Sequence, residues 1–317
     1  MLKISLVTPS YNQGVFLTST IKSVIDQNYP DLEYLVIDGG SSDNSVDIIK
    51  RYEKSLTYWI SERDHGQCEA INKGWRRVTG EIIGYLNSDD LLLPGSLNRV
   101  SSFFENNPHV DFIYGNAIYI DKDGKTIGRL NGQPFDLRRL LLRIQTIPQP
   151  AMFFRRKLLD EIGYLDENLH YTMDFDFWLK IAKIYTIEYV PQDLAAMRLH
   201  TDAKTTSQQD LFYKDELIVL TRFFSQPGLS VSLKNAEPLA FARCYFRGAE
   251  ALFRMGSFSE SRDLIVRAIR LSPKVLLEDR NAILCFSHAV KSDLEPGYRE
   301  KKNRIKGLFK RNRNPGE

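Results

Sequence analysis

The stretch Gly80–Leu97, GEIIGYLNSDDLLLPGSL, holds an apolar segment that ends in two adjacent aspartates. Ile82–Leu86 have the composition of a short buried β-strand, and the proline that follows is typical of the first turn of a helix. Asp89 and Asp90 stand between the two. Neighbouring carboxylates at the end of a buried strand repel each other and lose hydration. We therefore expect a positively charged group to be bound beside them.

The first half of the chain alternates strand and helix patterns. Four β-rich segments, KISLVT, EYLVID, LTYWIS and EIIGYL, are each followed by a segment with apolar residues at helical spacing. This alternation predicts right-handed βαβ units and a mainly parallel sheet. Lys122-Asp123-Gly124 lies between two further β-rich segments and predicts a hairpin, so the second half of the sheet should be mixed.

Polar residues follow all four predicted strands. The clusters are Thr8–Asn12, Asp38–Asp43, Glu62–Gly66 and Asn87–Asp90. In a parallel sheet the carboxyl ends of the strands lie along one edge, and ligands bind in the crevice there. Any single cluster could be a helix cap. Four clusters along one edge favour a binding site.

The predicted site lacks the common phosphate-binding loops. No G-x-G-x-x-G follows the first strand, and no G-x-x-x-x-G-K-[ST] occurs in the chain. A hard divalent cation held by carboxylates would neutralise phosphates instead, which would explain the pair Asp89 and Asp90. The alternative is that the two aspartates cap a helix that starts at Pro94.

Six segments taken together resemble family 2 glycosyltransferases. They are TPSYN, IDGGSSDNS, ERDHGQCEAINKG, YLNSDDLLLPG, MDFDFWLK and RLHTDAKT, and they cover roughly residues 1–205 in this order. The resemblance implies the nucleotide-diphospho-sugar transferase (GT-A) fold, with a Rossmann-like, mixed and mainly parallel sheet. It also implies an inverting transfer of sugar from a nucleotide-diphospho-sugar to an acceptor hydroxyl, in polysaccharide or cell-surface glycan assembly.

The resemblance implies roles for individual residues on the donor side. The nucleotide-sugar site would comprise Pro9, Tyr11, Asp38, Asp64, Lys73 and Asp89. Pro9 and Tyr11 would contact the nucleoside, and Asp89 would face the ribose and the donor sugar. Asp38 would accept a hydrogen bond from the base, which favours UDP- or dTDP-linked donors because uracil and thymine carry an N3–H donor.

The same resemblance implies a metal site and a catalytic base. Asp90 and His200 would bind Mn²⁺ or Mg²⁺, with a structural role for His200 of equal weight. Asn87 stands where many members have the first aspartate of Asp-x-Asp-Asp. Asp174 would be the general base that removes the proton of the acceptor hydroxyl. Arg198 and Lys204 would contact the diphosphate, or be solvated.

Two other functions compete with this interpretation. A sugar-nucleotide nucleotidyltransferase shares the fold class but needs a glycine-rich basic loop after the first strand, and TPSYNQG has one glycine and no Lys or Arg. The second is a non-catalytic sugar-nucleotide-binding scaffold. The joint presence of Asp38, Asp89, Asp90, Asp174 and His200 argues against such a degenerate protein.

The remainder of the chain differs from the first 205 residues. Residues 206–298 predict a helical region with a hairpin like one tetratricopeptide unit near Gly256-Ser257, a candidate surface for a protein partner. Residues 299–317 form a basic tail: eight Lys or Arg and one Glu fall between Arg299 and Arg313, whereas the whole chain carries +3. The tail could contact an anionic membrane and a lipid-linked acceptor, or be solvated. Charge alone gives little support for nucleic-acid binding.

Composition indicates the compartment. The three cysteines have no close spacing, which argues against a disulfide framework or zinc site and favours a reducing environment. No signal peptide is recognisable at the N-terminus, and no apolar run approaches the ~20 residues of a membrane span. We expect a cytoplasmic protein, with peripheral contact at the inner membrane face if the tail is an anchor.

Gln149 and Pro150 are candidates for the acceptor side.

Overall fold

Residues 1–200 and 209–278 are described by a computed structural model, in which they divide into two units. The first unit comprises residues 1–200 and Ile218–Gly228. The second comprises Gln209–Leu217 and residues 229–278. Lys204 and the basic tail, residues 299–317, lie outside the described residues, as does the last part of the predicted helical region.

In its described residues, the first unit is built on a mixed sheet of nine strands. They are β1 (Ile4–Ser10), β2 (Leu32–Asp38), β3 (Tyr58–Ser61), β4 (Ile82–Tyr85), β5 (Leu91–Leu92), β6 (Phe112–Ile120), β7 (Thr126–Leu130), β8 (Met152–Arg155) and β9 (Ile187–Arg198). The strand order is β3-β2-β1-β4-β8-β6-β9-β5, and β7 pairs with β6. Strand β1 pairs in parallel with β2 and β4, and β2 with β3. The predicted parallel arrangement of the first four strands is confirmed.

Helices connect these strands. In the first unit they are α1 (Gly14–Ile25), α2 (Ser45–Tyr52), α3 (Gln67–Trp75), α4 (Ser96–Asn106), α5 (Leu137–Leu141), α6 (Lys157–Ile162) and α7 (Met173–Ile181). Helix α8 (Gln209–Phe224) contributes to both units. Short 3₁₀ turns occupy Glu53–Ser55 and Gln149–Ala151.

The second half of the sheet is mixed, as predicted. Strands β6 and β7 pair antiparallel around Gly124, whose φ of +85° is the left-handed conformation that glycine favours. Strand β8 runs antiparallel to both β4 and β6, whereas β6 and β9 are parallel. The predicted hairpin is confirmed.

The segment after Asp90 differs from the prediction. Strand β5 follows directly and pairs antiparallel with β9. Helix α4 begins only after Gly95, whose φ is +76°, so Pro94 precedes the helix. Because a strand separates Asp89 and Asp90 from α4, the interpretation that they cap this helix is wrong.

The two faces of the sheet carry different cores. Phe153 belongs to a buried, mainly aliphatic cluster, together with residues of α1, α2 and α4. Its neighbour Phe154 points to the other face, because successive strand residues alternate. There its ring lies 5.3 Å from that of Trp75 in α3 and 5.4 Å from that of Phe177 in α7. This aromatic cluster fixes α3 and α7 on the same face.

Close packing of α3 on β1 yields a first testable prediction. A Cβ atom added at Gly74 would lie 2.4 Å from Cγ1 of Val7. Gly74→Ala should therefore lower the free energy of unfolding by about 1–3 kcal/mol, as overpacking does. Urea denaturation measures this change. The double variant with Val7→Ala should be less destabilised than the sum of the two single variants, and an unchanged midpoint for Gly74→Ala would contradict the packing.

The second unit is helical. Its elements are the first part of α8, α9 (Val231–Lys234), α10 (Glu237–Met255), α11 (Phe258–Leu271) and α12 (Val275–Glu278). Gly256, with a φ of +88°, ends α10, and Ser261 of α11 donates a hydrogen bond to the Ala249 carbonyl (2.8 Å). The predicted helical hairpin with its junction near Gly256-Ser257 is present. None of the helices in the described part of the chain combines the length and apolarity needed to cross a bilayer.

Candidate active site

Asp38 ends β2 at the carboxyl edge of the sheet and is completely buried. Its Oδ2 accepts hydrogen bonds from the amides of Gly40 (3.1 Å) and Ser41 (2.9 Å) and from the Ser61 hydroxyl (2.7 Å). Its Oδ1 accepts from the Ser41 hydroxyl (2.6 Å). The left-handed φ of Gly40, +80°, lets the chain turn back so that these amides reach the carboxylate. Asp38 thus fixes the loop after β2 and joins it to the end of β3.

The loop after β1 presents Tyr11 beside this edge. Pro9 is buried in β1, whereas the Tyr11 side chain is 60% exposed. The Asn12 side-chain oxygen accepts a hydrogen bond from the Ser42 amide (2.8 Å), which connects the loops after β1 and β2. An exposed aromatic ring next to a fixed pair of loops can stack on a nucleobase.

Asp64 lies behind the loop after β2. A Cβ atom at Gly39 would lie 2.7 Å from its Oδ2, so a larger residue at this position would displace the carboxylate. Burial raises the pKa of Asp64, and the hydrogen bond from the Gly66 amide (3.0 Å) opposes that rise. The predicted donor-side residues Asp38 and Asp64 therefore converge on one loop.

Lys73 of α3 is held by two carboxylates. Its ammonium group lies 3.0 Å from Glu62 and 2.9 Å from Glu69. The hydrogen bond from Lys73, together with the His65 amide, lowers the pKa of Glu69 to about 2. An ammonium group has three N–H donors, so Lys73 can keep both partners and still offer one donor to a phosphate.

The two adjacent aspartates after β4, Asp89 and Asp90, have different surroundings in the structure. Asp89 Oδ2 lies 3.1 Å from His200 Nε2, although 111 residues separate the two in the chain. The Phe16 ring of α1 packs against the imidazole at a centroid distance of 4.8 Å. The structure thus brings together Asp89 and His200, whereas the sequence prediction paired His200 with Asp90.

Asp90 supports the loop from within. It is 3% exposed, its Oδ1 accepts a hydrogen bond from the Arg198 amide (2.9 Å), and its own carbonyl accepts one from Thr20 (2.9 Å). Burial, and then the charge of Asp89, raise the pKa of Asp90 well above its ordinary value. A carboxylate in this position orients Asp89 but does not meet His200.

Arg198, at the end of β9, is a supporting residue that the sequence did not reveal. It is only 5% exposed. Its guanidinium donates hydrogen bonds to the backbone carbonyls of Asp89 (2.9 Å), Asp121 (2.9 Å) and Lys122 (3.1 Å). The same group lies 4.8 Å from the centroid of the Phe16 ring. The prediction that Arg198 is solvated is wrong, because the side chain is buried and donates to three backbone carbonyls. A contact with the diphosphate stays a prediction. No signal in the sequence places these carbonyls beside it.

Asp174 lies in the first turn of α7. Burial raises the pKa of this carboxyl, and the positive charge of Arg143 opposes the rise. The Arg143 guanidinium lies 4.6 Å from the centroid of the Phe175 ring. Burial and the charge of Asp174 also raise the pKa of Tyr85 at the end of β4, so Asp174 stands near the carboxyl end of the central strand. A carboxylate with a raised pKa is suited to general-base work.

The described residues suit a cation that is bound jointly with a ligand. Within residues 1–200 and 209–278, no three His, Cys, Asp or Glu side chains lie together in a way that would form a metal site of their own. Asp89 and His200 supply one carboxylate and one imidazole within 3.1 Å of each other. Mg²⁺ and similar cations are often held by one or two carboxylates together with substrate phosphates and water. The donor set therefore fits a cation that a diphosphate helps to coordinate.

Comparison with known proteins agrees with this geometry. The chain matches the family described as Glycosyl transferase family 2 over residues 5–163. An uncharacterised glycosyltransferase of Methanocaldococcus jannaschii is 25% identical over 205 residues, an alignment that covers 62% of this chain and 70% of that protein.

Solved structures show the same fold. S. aureus TarS 1–349 in complex with UDP-GlcNAc superposes with a TM-score of 0.65 and 18% identity, covering 94% of this chain and 92% of that chain. A mannosyltransferase from Pyrobaculum calidifontis in complex with GDP-Man and Mn²⁺ superposes with a TM-score of 0.61 and 16% identity, covering 95% and 83%. At these identities the likeness establishes the GT-A fold, which confirms the predicted fold class.

Proposed function

Because the chain belongs to glycosyl transferase family 2, we propose that it moves a sugar from a nucleotide-diphospho-sugar to an acceptor hydroxyl with inversion, aided by a divalent cation. The family assignment makes the protein a glycosyltransferase, so neither the nucleotidyltransferase nor the non-catalytic scaffold is retained. The observation that carries the proposal is the pair Asp89 and His200, 3.1 Å apart at the edge where β4 ends.

The donor would occupy the loops after β1, β2 and β3. We assign the nucleoside to Pro9 and Tyr11, and the base N3–H to Asp38. Among the described residues, the Asp38 carboxylate accepts four hydrogen bonds, which come from its own loop and from Ser61. A hydroxyl rotates freely, so the Ser61 or Ser41 O–H can make way for a base N–H at little cost. UDP- or dTDP-linked sugars are favoured on this ground.

The cation would be held by Asp89 and His200. When bound, it acts as a Lewis acid that offsets the charge of the departing nucleoside diphosphate. Asp90 and Arg198 would then serve the site by fixing the Asp89 loop, through the Arg198 amide (2.9 Å) and guanidinium (2.9 Å). Mn²⁺ and Mg²⁺ both suit this mixed set of ligands. The Mn²⁺ complex of the Pyrobaculum calidifontis relative supports a divalent cation.

Asp174 would remove the proton of the attacking hydroxyl. Its position in the first turn of α7, on the face shared with α3, places it near the end of β4. Desolvation of its carboxylate raises the pKa and so makes it a stronger base toward a hydroxyl. Inversion requires a single displacement at the anomeric carbon, and no covalent enzyme intermediate is needed.

The acceptor is proposed to be a glycan or a lipid-linked precursor in polysaccharide assembly. The helical second unit is a candidate docking surface for a protein partner, and the basic tail a candidate membrane contact. Both proposals rest on the sequence patterns described above.

Screening a panel of nucleotide sugars tests the proposal. UDP-, dTDP- and GDP-linked sugars are added with Mn²⁺, with Mg²⁺ or with EDTA, and the melting temperature is recorded. A ligand at 100 times its Kd stabilises the native state by about 2.7 kcal/mol, so a uridine or thymidine diphospho-sugar should raise the melting temperature only with the cation. Equal stabilisation in EDTA would contradict the role of the metal, and no stabilisation by any donor would contradict the function.

The pH dependence of turnover should report the surroundings of Asp174. The base acts in its ionised form, so activity should fall as pH decreases through a pKa that lies above the ordinary carboxyl range. Arg143→Gln removes the positive charge that holds this pKa down, so the acid limb of kcat should move to higher pH. Arg143→Lys keeps the charge and should move the limb less. Initial rates from pH 4 to 9 measure both, and coincident limbs in Arg143→Gln and wild type would contradict the assignment.

A further inference from the structure

Three side-chain amides form a continuous chain of hydrogen bonds, here called the relay, beside the loop after β4 that carries Asp89. Gln67 Nε2 donates to Asn87 Oδ1 (2.6 Å), Asn87 Nδ2 donates to Gln149 Oε1 (3.0 Å), and Gln149 Nε2 donates to the Tyr85 carbonyl (3.0 Å). Asn87 is the central member. It also directs Nδ2 toward Asp90 Oδ2 at 3.4 Å.

The Tyr85 backbone carbonyl sets the direction of the hydrogen bonds in the relay, because it cannot act as a donor. A backbone carbonyl only accepts hydrogen bonds, so Gln149 must turn its Nε2 toward Tyr85 and its Oε1 toward Asn87. Asn87 must then offer its Nδ2 to that oxygen, which leaves Oδ1 facing the Nε2 of Gln67. The orientation of all three amides follows from one carbonyl at the end of β4. A carboxylate in the central position cannot satisfy this order, because it has no donor.

The relay joins the parts of the proposed site that must act together. Asn87 lies two residues before Asp89. Gln67 begins α3, and the next residue, Cys68, places its Sγ 2.8 Å from the Met173 sulfur, directly before Asp174. Gln149 lies in the 3₁₀ turn that leads into β8. The chain of amides therefore connects the loop carrying the proposed metal ligand to the start of α3 and to the predicted acceptor side. The contact between Cys68 and Met173 extends this connection to the start of α7.

We propose that Asn87 is a positioning residue that holds Asp89 and Asp174 in register through Gln67 and Gln149, and that its amide donor is what this role requires. The inference rests on the proposed function and deepens it. It also explains why this chain carries asparagine where the family resemblance leads one to expect aspartate: an aspartate would set its oxygens against Gln149 Oε1 at 3.0 Å and Asp90 Oδ2 at 3.4 Å.

Asn87→Asp tests the proposal, because it is isosteric and changes only the donor and the charge. We expect kcat to fall about 10- to 100-fold, the usual effect of removing a supporting hydrogen bond at a reaction centre. The KM for the donor should not rise, because an added carboxylate near Asp89 does not weaken the binding of a cation. Steady-state kinetics with the donor found in the nucleotide-sugar screen separate the two constants.

Asn72→Asp is the matched control. Asn72 is also a buried asparagine, in α3, but it donates to the Leu165 carbonyl (3.0 Å) and to Glu167 (2.8 Å). The same chemical change there should lower the melting temperature and leave kcat within about 3-fold of wild type, since no partner of Asn72 is proposed to act in the reaction.

An uncharged variant tests the other end of the relay. Gln149→Met removes the amide at similar length, and it should lower kcat without raising the donor KM. Combined with Asn87→Asp, it should add little further loss, because both changes break the same link.

Two results would overturn the role of Asn87: a kcat within 3-fold of wild type in Asn87→Asp, or an equal loss of kcat in Asn72→Asp. If wild type transfers no sugar from any donor, the proposed function fails rather than the relay. In that case a double-mutant cycle on urea unfolding of Asn87→Asp and Gln149→Met still measures whether the two amides are coupled.

Discussion

Asp174→Asn should reduce kcat for sugar transfer by about 10²- to 10⁴-fold, the usual contribution of a positioned general base. The amide cannot accept the proton of the acceptor hydroxyl, and nothing else changes in size. Donor binding should persist, because the nucleotide is assigned to the loops after β1, β2 and β3. Steady-state transfer assays and calorimetric titration of the nucleotide measure the two properties on the same preparation.

Stability separates this prediction from misfolding. Burial raises the pKa of Asp174, so the ionised carboxylate is less stable in the folded than in the unfolded chain. Its contribution is fully favourable below the unfolded pKa and is lost as pH rises through the folded pKa. Asp174→Asn should therefore melt at a temperature equal to or above that of wild type at neutral pH. A variant that keeps full turnover, or that has lost turnover because it is unfolded, would not support the assignment.

Asp89→Asn should produce the second large effect. The substitution removes the negative charge that faces His200 and leaves the shape of the loop unchanged. A Lewis-acidic cation contributes several kcal/mol to such a transfer, so kcat/KM should fall by about 10²- to 10³-fold. The loss should be partly recovered at high Mn²⁺ concentration if weak cation binding is the cause.

A second acidic residue provides the control for charge. Asp123 lies in the turn between β6 and β7, and its side chain is 74% exposed. Asp123→Asn changes the net charge by the same amount and should leave kcat/KM unchanged. If Asp89→Asn and Asp123→Asn behave alike at all Mn²⁺ concentrations, Asp89 has no part in binding a cation.

The sequence predicted those parts of the fold that depend on local pattern. Strands β1 to β4 follow from short β-rich segments, and helices α1 to α4 from apolar residues spaced three or four apart. The hairpin at Gly124 follows from its turn chemistry. The sequence does not predict the pairing of β5 with β9, since β5 has only two residues and β9 contains Pro191 and two register shifts against β6. Such pairing depends on contacts between distant segments.

The same limit applied within the site. Polar residues at the strand ends predicted the edge where Asp38, Asp64 and Asp89 lie. Which of two adjacent aspartates meets His200 depends on the Arg198 amide, which holds Asp90 from 108 residues away in the chain. Local sequence patterns cannot distinguish Asp89 from Asp90, because a residue distant in the chain fixes their orientation.

The amide relay could not be predicted for the same reason. Gln67, Asn87 and Gln149 belong to three different segments of the chain, and each is an ordinary polar residue in its own segment. The departure at Asn87 from the aspartate expected by family resemblance was the one local signal. Its meaning required the position of the Tyr85 carbonyl, 3.0 Å from Gln149.

We propose that Asp89 and His200 hold a divalent cation together with the diphosphate of the donor. A crystal grown with UDP and Mn²⁺, with data collected at the manganese absorption edge, tests it directly. One anomalous peak should appear within coordination distance of Asp89 Oδ2 and His200 Nε2, beside the bound diphosphate. A nucleotide bound at this edge without such a peak, or with a peak that touches neither Asp89 nor His200, would contradict it.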